Sequence, residues 1–322
     1  MNRSKVRVRV PASTANLGPG FDTLGMALNL YAWIEMSIAD ETRIELYGDQ
    51  MKGIPNTKSN LIYKVAQQLF AAAGVDHPEL EIAMYSDIPL TRGLGSSASA
   101  IIGALVAANA LIGNKLSRDE LFQIATRMED HPDNVGASLF GGIVVAYWDG
   151  IRAECIRLEP DKRLEALVAI PDFHLSTEKA RNVLPKQVSM KDAVFNVGHS
   201  SVLVAALASG RLDMIRRAMK DALHQPYRCS LIPGMDTILQ EADQHGALGA
   251  ALSGAGPTMI AFADRDLTDK SKLEDFLKDT LRKSGVSART MWLEPCVEGV
   301  LVLSPEDSRY TLFDHIKGEV RA

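Results

Sequence analysis

The apolar positions of this 322-residue chain change period along its length, and each period predicts an element. Val6-Arg-Val-Arg-Val10 alternates with period two, the signature of a half-buried strand. Residues 11–25 are dense in Gly, Pro and small polar side chains and predict a loop. Residues 28–38 and 43–46 read as strands. Over 60–73 the period lengthens, and Leu61, Val65, Leu69 and Ala72 share one helical face. A strand at 80–85 leads through a Gly-Ser loop into an apolar helix over 97–112. A further helix at 117–127 opens on Ser117-Arg-Asp-Glu120, a capping box. Glu129 to Asn134 breaks that helix. Residues 137–147 read as a Gly-containing turn and a strand, closed by a turn at Trp148-Asp-Gly150.

Near Pro160 lies a soft boundary, which predicts domains at 1–158 and 159–322. Beyond it the pattern predicts a strand at 164–170 and helical stretches near 177–183, 190–208, 211–223 and 234–244. Strands at 247–252 and 259–263 flank Ser253-Gly-Ala-Gly-Pro-Thr258. A charged helix at 268–284 and strands at 287–293 and 298–303 follow. Strands and helices mix without regular alternation, which predicts an α+β fold.

The chemistry concentrates at Pro89-Leu-Thr-Arg92-Gly93-Leu94-Gly95-Ser96-Ser97-Ala98-Ser99. Two glycines permit positive φ and close backbone approach. Two serines offer hydroxyls and cap chemistry. The helix behind them aims unpaired N–H groups and its positive end at the loop, which makes an anion site. A Walker A loop needs a Gly-Lys-Ser/Thr ending that is absent here. Gly93-x-Gly95-x-x-Ala98 satisfies the loose dinucleotide pattern, but the second strand ending in an acid that such a site needs does not follow. A glycine-rich turn capping a buried helix is the bland alternative.

Composition narrows the classes. A net charge of −5 gives no basic field for nucleic acid. The longest apolar run, at 98–113, contains Asn109 and is too short to span a bilayer comfortably, so no membrane role is expected. The three cysteines match no metal spacing and suit a reducing cytoplasm. The first ten residues carry no apolar stretch of a secretory signal.

Three glycine-bearing loops stand in order: Pro11-Ala-Ser-Thr-Ala-Asn16-Leu-Gly-Pro-Gly-Phe-Asp22, the loop at 89–98, and Ser253 to Thr258. Together they resemble the GHMP kinase superfamily of small-molecule kinases, over nearly the whole chain. Within it the chain is most similar to the homoserine kinases. His131-Pro-Asp-Asn134, Ser176-Thr-Glu-Lys-Ala-Arg181 and Gln225-Pro-Tyr-Arg228 carry that finer likeness. Two positions depart from it: Gly136-Ala-Ser138 stands where Ala-Pro-Ala is expected, and Ser99 where Ala is usual.

The resemblance implies an N-terminal ATP-binding domain with a left-handed βαβ crossover and a ferredoxin-like C-terminal domain. It implies ATP- and Mg²⁺-dependent formation of O-phospho-L-homoserine, on the path to threonine. Pro89 and the stretch from Arg92 to Ser99 would then cradle ATP, Asn60 would contact adenine or merely cap its helix, and Ser97 with Glu129 would hold Mg²⁺. Arginine binds carboxylates bidentately, so Arg181 and Arg228 are placed on the acceptor. Asp22 takes its ammonium, and His131 completes the pocket. Asn16, Asp133 and Asn134 surround the reacting hydroxyl. Asp133 is the nearest match to a base, but alignment and electrostatics without a base are expected. A homodimer also follows from the resemblance, and threonine, which shares the amino-acid head group, is expected to bind the same pocket as feedback. Mevalonate or shikimate phosphorylation, or a non-catalytic sensor of this fold, are the alternatives.

Overall fold

Pairing carries the first strand well past the end its alternation predicts. The structure, a computed structural model, describes residues 5–303 together with 312 and 316. Strand β1 (Val6–Asn16) and strand β2 (Gly20–Ala39) form one long hairpin, with only a tight turn between them. The predicted loop at 11–25 is therefore mostly strand. Its small residues hid the signal, because most of 10–20 is buried and no polar face alternates with an apolar one. Register shifts at Pro11/Ala12 and Ala15/Asn16 absorb the irregularity.

Strand β3 (Arg43–Tyr47) pairs in parallel with β4 (Glu79–Ser86), across helix α1 (Leu61–Ala72). Helices α2 (Ser96–Leu111), α3 (Arg118–Glu129) and α4 (Asp133–Phe140) follow, then strands β5 (Ile143–Trp148) and β6 (Ala153–Leu158). The predicted break between α3 and the next element is real but short. Asp130 ends α3 in the left-handed conformation, and Pro132 caps α4 rather than a turn. Strand β6 lacked a sequence signal because its residues are largely exposed. The first sheet runs β11-β1-β2-β4-β3, with β5 joining β2 and β6 joining β5.

The chain then enters a second sheet. Strand β7 (Leu164–Pro171) is followed by α5 (Thr177–Asn182), α6 (Met190–Ser209), α7 (Ile215–Ala218), α8 (Gln225–Arg228) and α9 (Met235–Glu241). The predicted helix at 211–223 shrinks to a 3-10 turn and α7, and α8 was not predicted at all. Strands β8 (Gly249–Leu252) and β9 (Met259–Asp264), helix α10 (Lys270–Lys283) and strand β10 (Ala288–Leu293) complete it. Its order, β10-β7-β9-β8 with every pair antiparallel, is the ferredoxin-like order. Strand β11 (Leu301–Val302), shorter than the predicted 298–303, returns to pair with β1 at Val8 and Arg9.

Helix α2 is the axis of the first sheet's core. It packs beneath the sheet with α1 and is buried on nearly every side, which is why it is apolar all round. A second cluster joins the sheets: Leu17, Leu24, Met26 and Leu94 pack with Val168, Ile215 and Ile260. The active cleft opens beside that shared core. Among the described residues no helix is long and apolar enough to cross a membrane.

Candidate active site

Three chain segments meet at one cleft of roughly 320 Å³. The β1–β2 turn brings Asn16 and Asp22, the loop into α2 brings Gly93 to Ala98, and the β8–β9 connection brings Gly254 to Gly256. Backbone contacts lock these segments together. Ser13 N–H donates to the Leu94 carbonyl, Gly254 N–H to the Ala15 carbonyl, and Thr258 N–H to the Arg92 carbonyl. The glycines are steric requirements here. A Cβ on Gly93 would stand 2.2 Å from the Ser253 carbonyl oxygen, and one on Gly95 would stand 2.0 Å from Ser13 Oγ. Both also hold positive φ.

Gly95 is the N-cap of α2 and offers no side-chain acceptor to the first turn. The first N–H groups therefore remain open to an anion, with the helix dipole behind them. Ser97 Oγ donates a short hydrogen bond to Glu129, at the end of α3. A hydroxyl and a carboxylate thus stand together at the open N-terminal end of the helix.

The opposite wall carries the charged residues. Asp133 is buried, and its Oδ1 accepts from His131 Nδ1 at 2.8 Å and from the Asn134 backbone N–H at 2.6 Å. Asn134 in turn accepts from Ser13 Oγ at 2.9 Å. Burial opposes charge on His131, but Asp133, then Asp22 and Glu129, outweigh it and raise its pKa to about 9. The ring is therefore protonated at neutral pH. Arg181 forms a two-pronged pair with Asp22, at 2.8 and 3.0 Å. Arg228 is buried beneath them and donates to the Ala180 and Gly254 carbonyls. Burial, and next the charge of Arg181, lower its pKa to about 10, so it keeps its proton. Both guanidinium groups lie over the Phe21 ring, at 5.6 and 5.3 Å.

The cleft thus gathers Asn16, Asp22, Gly93, Gly95, Ser96, Ser97, Ala98, Glu129, His131, Asp133, Asn134, Arg181 and Arg228, all anticipated from the sequence. Other anticipated residues do not line it. Leu94 is buried in the shared core, and Ser99 Oγ bonds back to the Ser96 carbonyl. Pro89 and Arg92 line a separate hollow with Asp172 and Arg289. Asn60 is 2 % exposed and caps α1, accepting from Ile62 N–H and donating to the Pro55 carbonyl. Phe21, Thr177 and Ser13 were not anticipated. All three lie within or beside segments already singled out, but nothing in their residue types announced a role.

The chain matches the family models for the GHMP kinases N terminal domain at residues 60–142 and GHMP kinases C terminal at 203–283. It is 45 % identical to the homoserine kinase of Moorella thermoacetica, covering 92 % of this chain and 99 % of that one. It is 44 % identical to the homoserine kinase of Deinococcus radiodurans, covering 88 % and 92 %. The crystal structure of homoserine kinase from Cytophaga hutchinsonii superposes with a TM-score of 0.83 at 28 % identity, covering 94 % and 98 %. With the phosphate-type loop, the ordered glycine motifs and the ferredoxin-like sheet already in place, these likenesses put the chain in the homoserine kinase family of the GHMP kinases.

Proposed function

We propose that this protein transfers the γ-phosphoryl group of ATP to the side-chain hydroxyl of L-homoserine. One observation carries the reading. Two arginines and a carboxylate, Arg181, Arg228 and Asp22, face the same cleft as the open N-terminus of α2. The first set suits an amino acid's carboxylate and ammonium; the second suits phosphates. The domain division at 158/159 belongs to the same reading, since the chain leaves the first sheet after Leu158 and enters the second at Leu164.

The N–H groups of the Gly93–Ser97 loop bind the phosphates. Ser97 and Glu129 are hard oxygen donors already in hydrogen-bond contact, which fits Mg²⁺. Among the described residues no cluster of three metal-ligating side chains exists, and Mg²⁺ bound chiefly by phosphates and water needs none. When bound there, the ion neutralises charge that develops on the phosphoryl oxygens.

On the acceptor side, Arg228 and Arg181 hold the carboxylate and Asp22 the ammonium. Binding then exchanges the Arg181–Asp22 pair for contacts to the acceptor. Asn16 ties the site together, donating to the Gly254 carbonyl and accepting from Asp22 N–H. Asp133 is engaged with a protonated His131 and with Asn134, which suits it to positioning rather than to taking a proton. The hydroxyl proton leaves to a phosphate oxygen, and the rate derives from alignment and preset charge.

The test is product identification. Incubation with Mg-ATP and L-homoserine should yield ADP and a product heavier by one phosphoryl group, with the phosphate on the side-chain oxygen by NMR. ATP turnover without that product overturns the reading. Threonine shares the acceptor's head group, so it should raise the apparent KM for homoserine. A homodimer and a cytoplasmic location complete the proposal; sedimentation and fractionation test them.

A further inference from the structure

Arg228 is 2 % exposed, yet it lines the cleft, and three of its five N–H groups are already engaged. Nε donates to the Ala180 carbonyl at 3.0 Å. Nη1 donates to the Gly254 carbonyl at 3.2 Å and to His224 Nδ1 at 3.1 Å. Among the described residues, the Nη2 pair is left for a ligand. Two of the three partners are backbone. The third is a side chain one helical turn earlier.

His224 is fully buried and does not line the cleft. Its ring has only one set of roles. A guanidinium offers donors only, so Nδ1 must accept. Nε2 lies 2.7 Å from the Gly18 carbonyl oxygen, which only accepts, so Nε2 carries the proton. The ring is therefore neutral. Burial above all favours that form; Asp221 opposes it and the Arg228 charge adds to it. The ring itself is fixed from three sides. It stacks on Phe21 at 5.0 Å. Asp221 accepts from the backbone N–H groups of His224 at 3.0 Å and Gln225 at 2.7 Å, and its carboxylate also stands 3.5 Å from Nε2. Gly18, in the β1–β2 turn, ties the ring to the segment that carries Asn16 and Asp22.

We infer that His224 is the positioning residue of acceptor recognition: its Nδ1 fixes the Arg228 guanidinium so that Nη2 faces the acceptor carboxylate. The inference rests on the proposed reading of Arg228 as a carboxylate ligand. It adds a requirement that reading does not contain, a neutral histidine with its proton on Nε2.

Two amide variants separate the ring's two roles. His224→Asn places an amide oxygen near the Nδ1 position and can still accept from Arg228. His224→Gln reaches toward the Nε2 position and leaves Arg228 without that partner. The Gln variant should raise the KM for L-homoserine about tenfold or more, the worth of a hydrogen bond to a charged group. The Asn variant should stay within about threefold of wild type, and the KM for ATP should hold within about twofold in both. For 3-aminopropan-1-ol, which is homoserine without its carboxylate, the Gln variant should match wild type, read as turnover or as competitive inhibition. Equal losses in the two folded variants, or equal losses with the amino alcohol, would assign His224 a structural role and overturn the inference. An ATP KM that moves in step would do the same. Should the Gln variant not fold, His224→Leu removes the same acceptor and is read the same way. Wild-type protein that phosphorylates no carboxylate-bearing acceptor overturns the functional reading and this inference with it; wild-type turnover with the wrong variant pattern overturns the inference alone.

Discussion

Asp133→Asn separates charge from shape at the centre of the site. Asn keeps the volume and an acceptor oxygen for His131 but removes the negative charge. That charge is foremost among those that keep the buried His131 protonated. The rise from an ordinary 6.5 to about 9 corresponds to about 3 kcal/mol in favour of the charged ring in the folded protein. The sign follows from linkage. A raised folded-state pKa adds stability that is complete below about pH 6.5 and is lost as pH climbs through about 9. Asp133 is the largest influence offsetting burial, so the variant forfeits most of that, on the order of 2 kcal/mol or more. Unfolding entropy is about 2.1 cal/mol/K per residue, so a chain of this length loses about 3 °C in Tm.

Thermal unfolding without nucleotide or Mg²⁺ should show that gap at about pH 6 and show it closing by about pH 10. A gap constant across that range would refute the charge-pair account. Kinetics adds an independent arm. A positioning role predicts a loss in kcat of up to about a hundredfold. A loss near 10⁴-fold, with homoserine binding intact, is what removal of a general base would give at its upper limit, and it would refute the base-free mechanism.

Gly95→Ala should lower Tm and raise the KM for ATP, because its Cβ would meet Ser13 Oγ at 2.0 Å and the residue holds a φ of 70°. The backbone strain alone costs about 1–3 kcal/mol; an unchanged Tm would count against the tight packing described. Glu129→Gln keeps a partner for Ser97 but removes the charge, so the Mg²⁺ needed for half-maximal rate at fixed ATP should rise about tenfold or more. A superimposable Mg²⁺ titration would exclude Glu129 as a ligand. Arg181→Met should raise the KM for homoserine about tenfold while sparing that for ATP. Steady-state kinetics in which both KM values move together would place Arg181 outside acceptor binding.

Much of the first sheet's core and the glycine loops at 89–98 and 253–258 could be read from the chain alone. Helix α2 announced itself because an apolar run follows a Gly-Ser loop, and α1 because Val65 and Leu69 recur with helical spacing, but the face α1 buries is Ile62, Val65, Ala66, Leu69 and Phe70, and the expected Leu61 and Ala72 are exposed. The hairpin did not, since Ala12 to Asn16 are small and buried, and only long-range pairing with residues on β2 distinguishes strand from loop there. Helix α8 is too short to have a period, and it is held by Asp221 and by contacts across the fold. The site followed the same division. Arg181 and Arg228 were legible because charged residues in a recognisable segment suggest a ligand. That Arg181 already pairs with Asp22 needed the three-dimensional meeting of residues far apart in the chain. Asn60 shows the converse: a polar residue at a helix start caps α1 through Oδ1 and donates from Nδ2 to the Pro55 carbonyl, a use the sequence offered beside ligand contact.

In the proposed mechanism the cleft selects a carboxylate, an ammonium and a hydroxyl on one small acceptor. The most direct measurement is ADP release from Mg-ATP with L-homoserine, mevalonate, shikimate, galactose or no acceptor. Turnover with L-homoserine and only background release with the rest are expected, since the others lack the ammonium that Asp22 would pair. Equal or faster turnover with mevalonate or shikimate would leave the phosphate site standing and contradict the acceptor pocket.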